Sequence, residues 1–219
     1  MKTLIAIPCM DMVHTVFFKA MLAMRLVGDT RYTVSSSSLV YDARNNMVRQ
    51  AIREGFDRIL WLDSDMDFQP DLMEKLSADL DEGRELVSGL YFKRKAPIEP
   101  VVYAKVGYYH DPDKQEVTPL AVSHSDYPQN DVFEIEGCGF GGVMMTVDLA
   151  RRVSDKFGLP FTPILGFGED LSFCLRAREL GATLWCDSRI KLGHVGQGVI
   201  TEDVYLQQKA QNPPKEASK

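Results

Sequence analysis

The stretch RILWLDSDMDF, residues 58–68, sets Asp63, Asp65 and Asp67 at alternate positions directly after Ile59, Leu60, Trp61 and Leu62. Like charges that close repel, and each carboxylate resists losing its water. An acidic cluster at the exit of a buried segment therefore calls for a positive partner. In an extended chain Asp63 and Asp65 point to the same face. Two converging carboxylates suit a hard divalent cation, Mg²⁺ or Mn²⁺, with positions left open for phosphate oxygens. The plainer alternative is a solvated acidic turn in which Asp67 caps the next helix. On DSD alone the two readings balance.

The elements that must position this cluster alternate. TLIAIP (3–8) reads as a buried strand stopped by Pro8, and TVFFKAMLAMRLVG as a helix stopped by Gly28. YTVSSS is a second strand. DARNNMVRQAIREG (42–55) is a helix capped by Asp42, with Ala43, Met47, Val48, Ala51 and Ile52 on one apolar face. RILWL is the third strand, and Pro70 and Asp71 open a helix running to about Leu80. LVSGLYF (86–92) and PVVYAK (100–105) are further strands. The order β-α-β-α-β-α-β predicts an α/β fold with a mostly parallel central sheet flanked by helices. Right-handed crossovers would bring Pro8, Ser37 and Asp63 to one edge of it, where ligands bind in such sheets.

Beyond residue 106 the pattern is less regular. Residues 107–131, with Pro112, Pro119 and Pro128, read as a long loop or a small flap. VFEIEGCGFGGVMMTV (132–147) reads as two strand-like pieces around a glycine cluster. GEDLSFCLRARELG (168–181) is a helix ending at Gly181, TLWCD is a strand, and IKLGHVGQG follows. One domain over 1–205 and a disordered polar tail over 206–219 are expected.

The 219 residues are 45% hydrophobic, as in soluble globular proteins, and carry a net charge of −6. That charge repels nucleic acid and anionic membrane. The basic run FKRK (92–95) reads as a solvated loop end in preference to a phosphate contact. Cys9, Cys138, Cys174 and Cys186 lack zinc-site spacing and sit in apolar surroundings, which predicts free thiols in a reducing, cytoplasmic compartment. MKTLIAIPC is too short for a signal-peptide core, and no apolar run approaches the ~20 residues of a membrane span. Trp61 and Trp185 are expected in the core, and His14 near a helix start.

In order and spacing, AIPCMD, ARNNMVRQAIREG, LWLDSDMDF, GFGGVMM, FGEDLSFCLRARELG and LGHVG resemble a glycosyltransferase of the GT-A fold, family 2-like, from Thr3 to about Gly196. The last blocks are also similar to the polypeptide N-acetylgalactosaminyltransferases, whose matching helix carries an acid followed by asparagine where this chain has Glu169 and Asp170. The resemblance implies a nucleotide-sugar donor, usually a UDP-sugar, and Mn²⁺ or Mg²⁺ held by Asp65, His194 and Asp63. It implies that Pro8, Arg44, Asp63, Asp65 and Gly142 line the donor site, and that Gly141 and Glu169 face the acceptor. A guanidinium at Arg44 suits a planar contact to base or diphosphate. A neutral imidazole at His194 is a good Mn²⁺ ligand, although a lone histidine is more often structural. Carboxylates at a helix start commonly only cap it; the resemblance raises Asp170 to the general base of an inverting displacement, or, in a retaining one, to a residue that positions the sugar.

Competing readings remain at this level. A haloacid-dehalogenase-type phosphatase needs a hydroxyl-bearing residue two after its second aspartate, where Asp67 stands, followed by Phe68, and its aspartates on the first strand. A nucleotidyltransferase needs a glycine-rich phosphate loop, and PCMDMVHTVFF has no glycine. A non-catalytic sugar-nucleotide or glycan-binding module of the same fold would bind nucleotide without transfer, and Asp170 speaks weakly against it. The acceptor (glycan, protein, metabolite or nucleic-acid base) is not specified by sequence.

Overall fold

A computed structural model describes residues 1–111, 116–196 and 198–211. In chain order the elements are β1 (Lys2–Cys9), α1 (Thr15–Ala23), β2 (Asp29–Ser36), α2 (Val40–Arg53), β3 (Arg58–Leu62), β4 (Met66–Asp67), α3 (Leu72–Asp81) and β5 (Leu86–Leu90). They continue as β6 (Val102–Asp111), β7 (Glu116–Ser123), β8 (Val132–Ile135), β9 (Gly137–Cys138), β10 (Gly142–Thr146) and α4 (Val147–Phe157). The chain then forms α5 (Glu169–Glu179), β11 (Leu184–Lys191), β12 (Gly193–Val195), β13 (Val199–Ile200) and α6 (Glu202–Gln211).

Strand alternation builds two cores. On one face of β1, β3 and β10, Leu4, Ala6, Ile59, Trp61, Val143 and Met145 pack with Met47, Val48 and Ala51 of α2, Leu149 and Val153 of α4, and Phe173 and Ala177 of α5. On the other, Ile5, Ile7, Leu60, Leu62 and Met144 meet Phe17 of α1 and Leu72, Met73 and Leu76 of α3. A sheet covered on both faces needs apolar residues at every strand position, which is why RILWL is a continuous apolar run after its arginine. The seven-stranded sheet has the order β2-β1-β3-β10-β5-β11-β8. Only β10 and β8 run against the rest, so the sheet is mostly parallel as expected.

Four sequence expectations change. Residues 107–131 are not a plain loop: β6 and β7 form an antiparallel hairpin that continues through β9, although 112–115 lie outside the described residues. Pro119 suggested a breaker, but it sits opposite Tyr108 on an outer strand, where a missing N–H is tolerated. VMMT forms the strand β10 as expected, and the stretch after it, assigned no element from the sequence, forms α4 with Leu149, Ala150 and Val153 buried. Thr146 ends that strand and caps the helix, its side chain accepting from the Leu149 amide at 3.2 Å. The expected polar tail is helical as far as Gln211, anchored where Tyr205 stacks on Phe92 with ring centroids 4.6 Å apart; residues 212–219 lie outside the described residues. Trp185 is only partly buried, with the Arg84 guanidinium 5.1 Å from its ring.

Trp61, Phe140, Phe161 and Phe173 form an aromatic cluster with centroids 4.7–6.1 Å apart under the sheet edge. Replacing the fully buried Phe161 by alanine removes a wall of that cluster. It is expected to cost about 3–5 kcal/mol in urea denaturation; a loss under about 1 kcal/mol would show that the cluster is not integral to the fold.

Candidate functional site

Above the carboxyl ends of β1 and β3 lies a cavity of about 1030 Å³, whose lining includes Pro8, Ser37, Arg44, Asp63, Asp65, Asp170 and His194. Its size suits a nucleotide-sized ligand. The expected convergence of Pro8, Ser37 and Asp63 follows from the register: β1 lies between β2 and β3, with Pro8 paired to Ser35.

The expected common face for Asp63 and Asp65 is absent. β3 ends at Leu62, and the chain turns, with the Met66 amide donating to the Asp63 carbonyl at 3.2 Å. Once the strand ends, its alternation no longer governs direction. Asp63 turns to α2, where its Oδ1 accepts from Arg44 Nη2 at 2.9 Å. Asp65 turns the other way. The short strand β4 that follows it pairs with β12, Met66 opposite His194, and the Val195 amide donates to the Asp65 carbonyl at 2.8 Å. This small sheet brings His194 Nε2 to 3.4 Å from Asp65 Oδ2, across a sequence separation of 129 that no local pattern spans.

The tautomer of His194 has a physical cause. Its Nδ1 is 2.9 Å from the Phe92 carbonyl oxygen, which can only accept, so Nδ1 carries a proton. In the neutral ring Nε2 then presents a lone pair to the Asp65 carboxylate. Burial works to lower the histidine's pKa, but Asp65 and the Phe92 carbonyl outweigh it and raise it. The pair favours a cation between or upon the two groups, whether a proton or a metal ion. Among the described residues no group of three His, Cys, Asp or Glu side chains converges as a metal cage. The carboxylate of Asp65 and the imidazole of His194 are of the donor types that suit a divalent ion. Asp63, expected as a third, is engaged by Arg44.

Arg44 stands in the cavity lining but is held almost wholly by protein groups. Its side chain is 1% exposed. Besides Asp63 it reaches Glu169 Oε1 at 3.6 Å and Asp170 Oδ1 at 3.5 Å through Nε. Trp61, Phe140 and Phe161 surround the guanidinium at 5.4, 5.6 and 5.8 Å. Burial opposes its charge, and the three carboxylates more than compensate, raising its pKa further.

Glu169 and Asp170 open α5 after Gly168, and no side chain caps that helix. Asp170 instead accepts from the Phe140 amide through Oδ2 at 3.2 Å, while the buried Oδ1 has no hydrogen-bond donor among the described residues. Burial and then Glu169 and Asp63, against the pull of Arg44, push its pKa from an ordinary 3.8 up to about 8.

The glycines do other work. A Cβ on Gly142 would lie 2.5 Å from Leu192 Cδ2, so Gly142 permits strand packing and is not among the cavity-lining residues. Gly141 donates its amide to Tyr91 Oη at 3.1 Å and accepts from the Asp63 amide at 3.3 Å, fixing the end of β3 from behind. Sequence reasoning undervalued the basic run: Lys93, Arg94 and Lys95 all line the cavity, and Arg94 Nη1 is hydrogen-bonded to Asp65 Oδ2. The available signal was a cationic run leaving a strand at the same edge of an otherwise acidic chain. The four cysteines are free and buried, and no helix among the described residues is long and apolar enough to cross a membrane.

No protein-family model matches the chain, and no curated protein sequence matches it. Among solved structures, the fold is similar to that of A197 from STIV, with a TM-score of 0.62 and 19% identity over 92% of this chain and 94% of that one. It is also similar to that of GalNAc-T7 solved with UDP, GalNAc and Mn²⁺, with a TM-score of 0.58 and 9% identity over 95% of this chain. That alignment spans 47% of the GalNAc-T7 chain, about half its length. At these identities the likeness establishes the fold, a mixed α/β architecture on a large, mostly parallel sheet, consistent with a GT-A-like fold.

Two outcomes follow. Arg44→Met removes the shared counter-charge of three carboxylates and is expected to lower stability at pH 7 by about 3–5 kcal/mol in urea denaturation. Because the Asp170 pKa is raised on folding, its contribution is fully present below about pH 4 and is lost as pH rises through 8. Wild type should therefore lose stability relative to Asp170→Asn over that window, by at most about 1.4 kcal/mol per pH unit. Parallel stability–pH curves would show that Asp170 is an ordinary carboxylate.

Proposed function

We propose that this chain is a metal-dependent glycosyltransferase that moves a sugar from a nucleoside-diphosphate sugar, with uridine the first choice of base, to an acceptor hydroxyl with inversion. The observation that carries this reading is the Asp65–His194 pair, a carboxylate and an imidazole Nε2 facing one another at 3.4 Å on the cavity wall. The likeness in fold to GalNAc-T7, solved with UDP, GalNAc and Mn²⁺, supports it.

In this reading Asp65 and His194 hold Mn²⁺ or Mg²⁺, which when bound stabilises negative charge on the departing diphosphate. Asp170, whose side chain is 26% exposed and lines the cavity, takes the proton of the attacking hydroxyl. A pKa near 8 makes it a stronger base than an ordinary carboxylate, and transfer should rise with pH as it ionises. Asp63 and Glu169 share Arg44 with Asp170 and so hold the base in place; Asp63 also faces the donor and Glu169 the acceptor. Pro8 floors the nucleotide pocket. Gly141 and Gly142 act through the strand end they shape, and the acceptor's identity stays open.

The test is calorimetric titration with UDP and with GDP, each with Mn²⁺ or with chelator. One nucleotide is expected to bind only with the metal, and Asp65→Ala to weaken it at least about tenfold. Asp170→Asn should keep that binding and lose transfer about 100-fold or more. A folded wild type that binds neither nucleotide overturns the reading, while nucleotide binding with no turnover across sugar donors points to a binding module instead.

A further inference from the structure

Arg94 and the expected metal need the same atom. The guanidinium Nη1 is hydrogen-bonded to Asp65 Oδ2, the oxygen that also faces His194 Nε2 at 3.4 Å. A divalent ion shared by Oδ2 and Nε2 would stand next to an Arg94 that kept its present contact, and two cations there repel strongly in a partly buried site. One of them must leave. Arg94 can move at little cost, because its side chain is 48% exposed whereas that of Asp65 is 16% exposed. The backbone beneath it is held: the Lys93 amide donates to the Glu99 carbonyl at 2.9 Å, and the Lys93 ammonium pairs with Glu99 Oε2 at 2.6 Å. A Cβ on Gly196 would meet Arg94 Cβ and its carbonyl oxygen at 3.2 Å, so the segment is also packed from the other side. The movement is therefore confined to the side chain, which stays over a cavity that Lys93 and Lys95 also line.

We propose that Arg94 is a built-in counter-cation of the Asp65–His194 pair, displaced when a divalent metal binds and thereby released to hold the donor's diphosphate. The same residue then opposes binding of the metal alone and favours binding of the nucleotide diphosphate with the metal. Metal and donor are thus coupled, since diphosphate gives the displaced guanidinium a new planar acceptor set. This rests on the metal-dependent donor site proposed above.

The test measures both bindings on the full chain. Mn²⁺ alone, followed by electron paramagnetic resonance of the free ion, and UDP at saturating Mn²⁺, followed by calorimetry, are compared for wild type, Arg94→Gln and Arg94→Lys. The expected result has opposite signs: Arg94→Gln binds Mn²⁺ about threefold or more tighter, and binds UDP about tenfold weaker. Arg94→Lys should lie between wild type and Arg94→Gln on both scales. An unchanged or weakened Mn²⁺ affinity in Arg94→Gln overturns the proposal, and so does an unchanged UDP affinity. Either result with metal-dependent UDP binding intact in wild type leaves the donor site standing and removes only the role of Arg94. Absence of that binding in wild type overturns the donor site, and this proposal with it.

Discussion

A guanidinium almost wholly out of water dictates much of what surrounds it. Arg44 loses its hydration on α2, and the cost of that burial is recovered only if negative charge is delivered to it. Asp63 arrives from the end of β3, and Glu169 and Asp170 from the start of α5. Trp61, Phe140 and Phe161 close the remaining sides. Asn45, the next residue, accepts from the Phe161 amide at 2.9 Å, and Arg176 donates to the carbonyls of Pro160 and Thr162 on either side of that ring. One buried charge thus ties the first half of the chain to the second. Burial above all, and then the neighbouring Glu169 and Asp63, outweigh the pull of Arg44 and hold the Asp170 proton to an unusually high pH.

The other side of the cavity has a different electrostatic character. There the Asp65–His194 pair is met by the basic run Lys93–Lys95. An acidic, partly protonated wall faces a wall where cations and a cation-seeking pair meet. The two walls stand on different sheets: the central sheet presents Asp63, whereas the small sheet of β4, β12 and β13 presents Asp65 and His194.

Local pattern carried the reading of the fold where each element's signals are its own. The strand 3–8, the helix with Ala43, Met47, Val48 and Ala51 on one face, RILWL, and the helix ending at Gly181 all declare themselves within a dozen residues, and the structure forms each of them. The failures share one physical origin. The insertion of β10 antiparallel between β3 and β5 depends on pairing partners far away in sequence. The β6–β7 hairpin survives Pro119 only because that strand is at an edge.

For the site, the residue types were legible and their partners were not. The sequence alone determined that acids gather at the exit of RILWL, that Arg44 lies on a helix, that Glu169 and Asp170 open another, and that a cation is wanted among them. Only the tertiary structure decided that Asp63 belongs to Arg44 while Asp65 belongs to His194, that Gly142 serves packing, and that Arg94 reaches Asp65. The reason is that side-chain direction follows local periodicity only inside a regular element. These carboxylates stand just past the end of a strand, where the chain turns and long-range pairing sets where each one points.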